Sequence, residues 1–264
     1  MDPRDALVWL FARMPLSLAD KLSWFLAYLW WFVLPIRRKV AVDNLNHAFP
    51  ELAPRPVLTR MMHDIVLSYV ELLQFDRIQI EVRGAEAVAA APGPVLAGHL
   101  GAWDLFVLAS ADRLPMTIFF RRPTDPWTRR FMDEQRAAHR VDGLADGARM
   151  SAAYEAFSAG RAVYFVIDQW FGKGIESPFL GRPAKTATGF AAAILKSGRP
   201  AWCQTGWREG VGRHVTCIQP FPMPPLSGNF DVDLQAITDA ANAFIAAEVR
   251  KRPHGWLWLH RRWK

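Results

Sequence analysis

The chemistry of this 264-residue chain is best sought around His99, which is followed five positions later by Asp104 in the segment GHLGAWD. An imidazole with a carboxylate partner is suited to general base work, because the carboxylate fixes one ring nitrogen as N–H and stabilises the imidazolium as it forms. His99 closes the apolar run PVLAG, and α/β proteins carry functional groups at the carboxyl ends of their strands. Gly98 and Gly101 leave backbone space on either side. If a helix begins near Gly101, Asp104 lies in its first turn and can fold back onto the ring. Such a spacing also arises by chance, so these residues alone leave catalysis and a satisfied structural histidine both open.

Asp168 and Gln169 end the apolar run AVYFVID, again at a strand's carboxyl end, where they would position a substrate or tie down the following loop. On a helix beginning near Pro126, Arg136 and Arg140 are four apart and share a face, presenting two guanidinium groups to an oxyanion or anionic headgroup. With Arg129 and Arg130 they could equally form a solvated basic face. Lys185, Thr186 and Thr188 precede an apolar helix, where capping by a threonine competes with anion binding. His47, His63, His139, His214 and His254 have no acid at useful spacing and read as surface or core residues. His260, set among aromatics and arginines, would brace the C-terminus against the site or face lipid.

Other chemistries lack their residues. There is no Gly-x-Ser-x-Gly elbow, His-Glu-x-x-His pair or P-loop. Cys203 and Cys217, on two expected strands, offer neither a disulfide framework nor a Cys-x-x-Cys metal or redox pair. No metal site is expected. The net charge of +7 suits an anionic partner, but the arginines form no nucleic-acid reader module.

The elements that must hold these residues alternate. Apolar runs IQIEV, PVLAG, MTIFF, AVYFVID, PAWCQTG and HVTCIQPF read as strands, with helices expected near 102–111, 126–139, 151–159, 188–196 and 231–251. Helices also precede the first strand, one up to Pro50 and one over 57–75. The alternation predicts an α/β sheet covered on both faces.

The N-terminus has a different texture. Twelve Trp and 17 Phe against four Tyr are an aromatic load familiar beside lipid. The uncharged stretch Leu22 to Ile36 is shorter than the roughly 20 apolar residues of a spanning helix. Arg37, Arg38 and Lys39 follow it and suit an anionic cytoplasmic surface. Residues 1–36 therefore read as a membrane-anchoring helical segment, tilted through the bilayer or lying as an interfacial hairpin, with a buried helix of a soluble fold as the alternative that the short length leaves open, and 37–264 as the enzyme domain. Asp2 and Asp5 stand where a signal peptide would be basic.

The segment GHLGAWDL resembles the His-x4-Asp/Glu box of the glycerolipid acyltransferase superfamily, and its Gly-Ala-Trp-Asp flavour resembles the bacterial lipid A biosynthesis (lauroyl/myristoyl) acyltransferase branch. That branch usually has Glu where Asp104 stands. RRKVAVDNLNHAFPE, FFRRPTDPWTRRFMDEQR, the long stretch from VIDQW to RPAW, and WLWLHRRWK resemble the same branch in the same order. The resemblance implies an αβα sandwich with a central mixed sheet, and transfer of an acyl chain from an acyl-carrier-protein or coenzyme A thioester to a membrane-lipid hydroxyl. It implies His99 as general base held by Asp104, Arg122 in a Tyr-Arg-Pro-like turn, Arg136 after the downstream helix, and Asp168 with Gln169 as an Asp-Gln element. No cofactor beyond the thioester donor is implied. The acceptor would be a lipid A precursor, a lysophospholipid or an ornithine-type lipid, met at the cytoplasmic face of the bacterial inner membrane. A lipid-binding protein without turnover, and a lipase or thioesterase using water activated by His99, are the other classes the same residues allow.

Overall fold

The computed structural model describes residues 2–120, 124–145 and 150–264. Seven strands make the main sheet: β1 (Gln79–Arg83), β2 (Pro94–Ala97), β3 (Met116–Phe120), β4 (Val141–Ala145), β5 (Ala162–Val166) and, beyond the hairpin of β6 (Ile175–Phe179) and β7 (Arg182–Thr186), β8 (Trp202–Gly210) and β9 (Arg213–Pro220). Their order is β1-β9-β8-β2-β5-β3-β4. All neighbours are parallel except β8 and β9, so the sheet is mixed, as expected.

The helices are α1 (Pro3–Phe11), α2 (Leu16–Phe32), α3 (Arg38–Ala48), α4 (Pro54–Leu72), α5 (Ala85–Ala90), α6 (Trp103–Ala111), α7 (Pro126–Ala138), α8 (Met150–Ser158), α9 (Gly189–Ser197) and α10 (Phe230–Lys251). Side chains on a strand alternate between faces, and the central strands show it. Leu96 of β2 with Val163 and Phe165 of β5 enter one core with Phe190 of α9 and Ile245 of α10. Val95, Ala97, Ala162 and Tyr164 enter the other with α5 and α6. Because both faces are covered, these strands are apolar throughout instead of alternating with polar residues. α10 is capped by the Asn229 side chain, which accepts from the backbone N–H groups of Asp231 and Val232.

Two expectations need correcting here. The stretch FGKGIESPFLGRP is not a loop but the β6–β7 hairpin, turned through Leu180 and Gly181, both at positive φ. Strand β4 and helix α5, absent from the sequence reading, are short and gain their order from the neighbours they pack on.

The N-terminal segment breaks at Pro15 into two helices. Ala19, Ser23, Ala27 and Trp30 line the buried stripe of α2, which packs on α4. Leu18, Phe25, Tyr28 and Phe32 lie on its exposed side. Among the described residues, no helix is long and apolar enough to cross a membrane.

Tertiary pairing also corrects the histidines. His63 of α4 lies between Asp64 on Nδ1 and Asp20 of α2 on Nε2, each at 2.9 Å, and stacks on Trp24. The fully buried Glu71 of α4 accepts from Arg208 and the backbone N–H of Gly212 and meets His214 Nε2 at 3.0 Å, which joins α4 to the β8–β9 pair. His139 meets Asp112 at 3.3 Å. None of these acids except Asp64 is near its histidine in the chain.

Candidate active site

β2 and β5 are adjacent and parallel, with Ala97 opposite Val166. His99 and Asp168 each lie two residues beyond that pair, so strand pairing alone brings them together. His99 Nδ1 is 2.8 Å from Asp168 Oδ1, and the His99 backbone N–H donates to Oδ2 at 2.8 Å. The Trp256 indole N–H donates to the same Oδ2 at 2.9 Å. A Cβ on Gly98 would stand 3.3 Å from Oδ2, so glycine leaves the carboxylate room to close on the ring.

Burial opposes ionisation of Asp168, but the His99 charge and hydrogen bonds, with the Trp256 N–H, outweigh it and hold the carboxyl down at about 2. Burial pushes the His99 imidazole down. The Asp168 charge and hydrogen bond overcome this, Asp104 adds to them, and the net direction is upward from the ordinary value. Asp168 is therefore an anion across the physiological range and fixes Nδ1 as the donor. Nε2 then carries the lone pair, and it accepts from the Gln169 amide at 3.1 Å. The imidazole is about one-fifth exposed, with Trp103 edge-on at 5.1 Å.

The expected His99–Asp104 contact is not formed: the Nδ1 hydrogen bond goes to Asp168. Gly101, at φ +60, turns the chain before α6, and Asp104 is the second residue of that helix. Its carboxyl is pushed up by burial, against the opposing charges of His99 and Arg136. Asp104 therefore acts on the imidazole across space. It borders a mostly apolar cleft between α4 and α6, lined by Ile65, Tyr69, Leu72, Trp103 and Leu105.

The Arg136 charge acts on Asp104, opposing the effect of burial there, and Arg136 pairs with Asp133 at 3.1 Å. Arg140 does not share its face. α7 ends at Ala138 and Arg140 turns to φ +56, so the helical spacing is broken between the two arginines. Arg122 lies outside the described residues. Arg130 pairs with Asp5, and Arg4 with Asp125, which ties α1 to α7. Neither threonine caps α9: Thr188 makes no capping bond, and Thr186 Oγ1 donates to Ala184 O. Among the described residues, no three His, Cys, Asp or Glu side chains gather as a metal site would require.

Residues 5–264 match the family model described as bacterial lipid A biosynthesis acyltransferase. The chain belongs to that family. No curated protein matches it significantly. Among solved structures it is similar to the 1-acyl-sn-glycerophosphate (LPA) acyltransferase PlsC from Thermotoga maritima, at 14% identity and a TM-score of 0.41, over 92% of this chain and 100% of that one.

In this acyltransferase the C-terminal segment contributes residues that sequence reasoning missed. Leu100 bridges to Trp256, and the Gly101 N–H donates to Gly255 O at 2.6 Å, which lays the segment beside the His99 loop. Arg262 is fully buried under the Asp168–Gln169 turn. His260 is half-buried near Asp168 and His99; burial pushes its imidazole down to about 4, so it is neutral there. The segment is held there through its backbone, with Asn44 donating to the His260 carbonyl, while His260 Nδ1 is buried without a partner. The available signal was an arginine set between tryptophans in WLWLHRRW, which is more than a solvated tail requires.

Proposed function

We propose that the protein transfers a fatty acyl chain from an acyl-carrier-protein or coenzyme A thioester to a hydroxyl of a membrane lipid, with His99 as general base and Asp168 as the carboxylate that holds it. The observation carrying this reading is the His99 ring itself, with Nδ1 on an anionic carboxylate and the Nε2 lone pair met by the neutral Gln169 amide.

The acceptor hydroxyl takes the place of the Gln169 amide at Nε2. Its proton passes to Nε2 as the oxygen attacks the thioester carbonyl, leaving imidazolium opposite Asp168 and a tetrahedral oxyanion. Collapse breaks the C–S bond, and the imidazolium proton goes to the departing thiolate. That thiolate leaves readily, because a thiol's pKa near 8 to 9 makes it a good leaving group. Gln169, once displaced, supplies a side-chain amide beside the reacting centre, and the Arg136 charge acts on Asp104.

A lipid A precursor is the first acceptor to test. The exposed aromatics of α2 and the Arg37–Lys39 cluster support interfacial attachment through α1 and α2 at the cytoplasmic face of the inner membrane. The test incubates detergent-solubilised wild type and His99→Ala with acyl-carrier-protein and coenzyme A donors and lipid A precursors, lysophospholipids and ornithine-type lipids, followed by mass spectrometry. Wild type should yield acylated lipid, and His99→Ala should lose about 10²- to 10⁴-fold. Equal turnover in the variant would remove His99 from the mechanism.

A further inference from the structure

Arg262 is the largest charged side chain in the interior, with no measurable exposure. Among the described residues it makes no salt bridge; its hydrogen bonds all go to uncharged acceptors. Nη1 donates to the carbonyl oxygens of Gln169 and Lys185, each at 2.8 Å. Nη2 donates to Thr186 Oγ1 at 2.7 Å and Asn242 Oδ1 at 3.2 Å. Nε is buried without a partner. Burying a full charge among neutral hydrogen-bond acceptors is costly even with the Asp168 charge acting on it across space, and a well-packed apolar side chain would often serve the fold as well. What the guanidinium does that an apolar group cannot is grip three elements at once: the turn after β5, the end of β7, and α10.

The gripped turn is the one that carries the site. Gln169, whose carbonyl Arg262 holds, offers its side-chain amide to His99 Nε2, and the preceding residue, Asp168, holds Nδ1. The segment bearing Arg262 is itself fixed from the far side, since Asn44 of α3 donates to the carbonyls of Trp258 and His260 at 2.9 and 2.8 Å. The same segment supplies the Trp256 N–H to Asp168.

We infer that Arg262 is a positioning residue: its planar fork fixes the 168–169 turn, and through that turn sets Asp168 and Gln169 on the two nitrogens of His99. The inference rests on the proposed role of His99 as general base. Geometry, not charge alone, is the function, so lysine should not replace it. A single ammonium cannot span the acceptors on three elements that the planar guanidinium reaches.

The test uses the full-length enzyme in detergent, as wild type, Arg262→Lys and Arg262→Met, with thermal midpoint, kcat and KM for donor and acceptor, and a ¹⁵N-histidine NMR titration of His99 assigned with His99→Ala. Folded Arg262→Lys should lose at least tenfold in kcat, with both KM values within about twofold of wild type. Its His99 titration and the acid limb of its pH profile should move to lower pH as Asp168 leaves Nδ1. A folded Arg262 variant with wild-type kcat and wild-type His99 titration overturns the inference, as does a loss confined to thermal stability. If neither Arg262 variant folds, Thr186→Val, which lacks the hydroxyl that accepts from Nη2, serves the same purpose: a smaller kcat loss with the same pH shift supports the inference, and no change in either overturns it. Because the NMR titration needs no turnover, an active His99→Ala would overturn the general-base reading while the positioning of the ring is still read directly.

Discussion

At the scale of single residues, the imidazole must be neutral to accept a proton, so activity rises with pH through the His99 pKa. That value is displaced upward by Asp168, with a smaller contribution from Asp104. The acid limb of kcat/KM should therefore have its midpoint above the ordinary histidine value of about 6.5. Asp168→Asn removes the charge and leaves burial, which acts downward, so the limb should move to lower pH while kcat falls by about 10²- to 10⁴-fold. Asp104→Asn should move the limb in the same direction by less. A pH–rate series on the two variants checks both statements, and a larger shift in Asp104→Asn would reverse the assignment of partners.

The helices and strands around the site are held by buried polar joints as well as by apolar packing. Glu71 is fully buried, and removing it takes from Arg208 and His214 the carboxylate they share, leaving Arg208 only the longer pairing with Asp64 at 3.5 Å. Glu71→Ala should cost about 3–5 kcal/mol, the usual effect of stranding one half of a buried pair. Denaturant unfolding measures it. Gly206 of β8 is a second such point. A Cβ there would stand 2.4 Å from the Phe106 ring of α6, the helix that carries Asp104. Gly206→Ala should force the two apart and destabilise by about 1–3 kcal/mol. A thermal midpoint equal to that of wild type would contradict this close approach.

Taken as a whole, the molecule presents its large exposed apolar side chains mainly on α1, α2 and the turn that follows. Trp9, Phe25, Phe32 and Ile36 are each more than half exposed, with basic residues at 37–39 beside them. Burying one large aromatic side chain is worth about 1.5–3 kcal/mol. Phe25→Asp and Phe32→Asp should each weaken binding to anionic vesicles by about tenfold or more with little change in thermal midpoint. Binding should also fall as salt is raised, because the basic cluster acts through screened charge. Sedimentation with vesicles at two salt concentrations tests both effects.

What the sequence determined by itself is what depends on local pattern. The six apolar runs, the helix over 231–251 with acids at its start and bases at its end, and His99 at the end of a strand all follow from spacing and composition, and each has its counterpart in the structure. Asp168 stands out too, as a strand-end residue, but local pattern does not give its role as the partner of His99. Local spacing favoured Asp104, five residues from His99, whereas the partner on Nδ1 lies 69 residues away. Only the pairing of β2 with β5 decides that, because a parallel neighbour makes two distant strand ends adjacent. The same holds for Glu71 with His214, Asp20 with His63, and Arg262 beneath the 168–169 turn. Each joins groups far apart in the chain, and a hydrogen bond across that distance is set by how the elements pack.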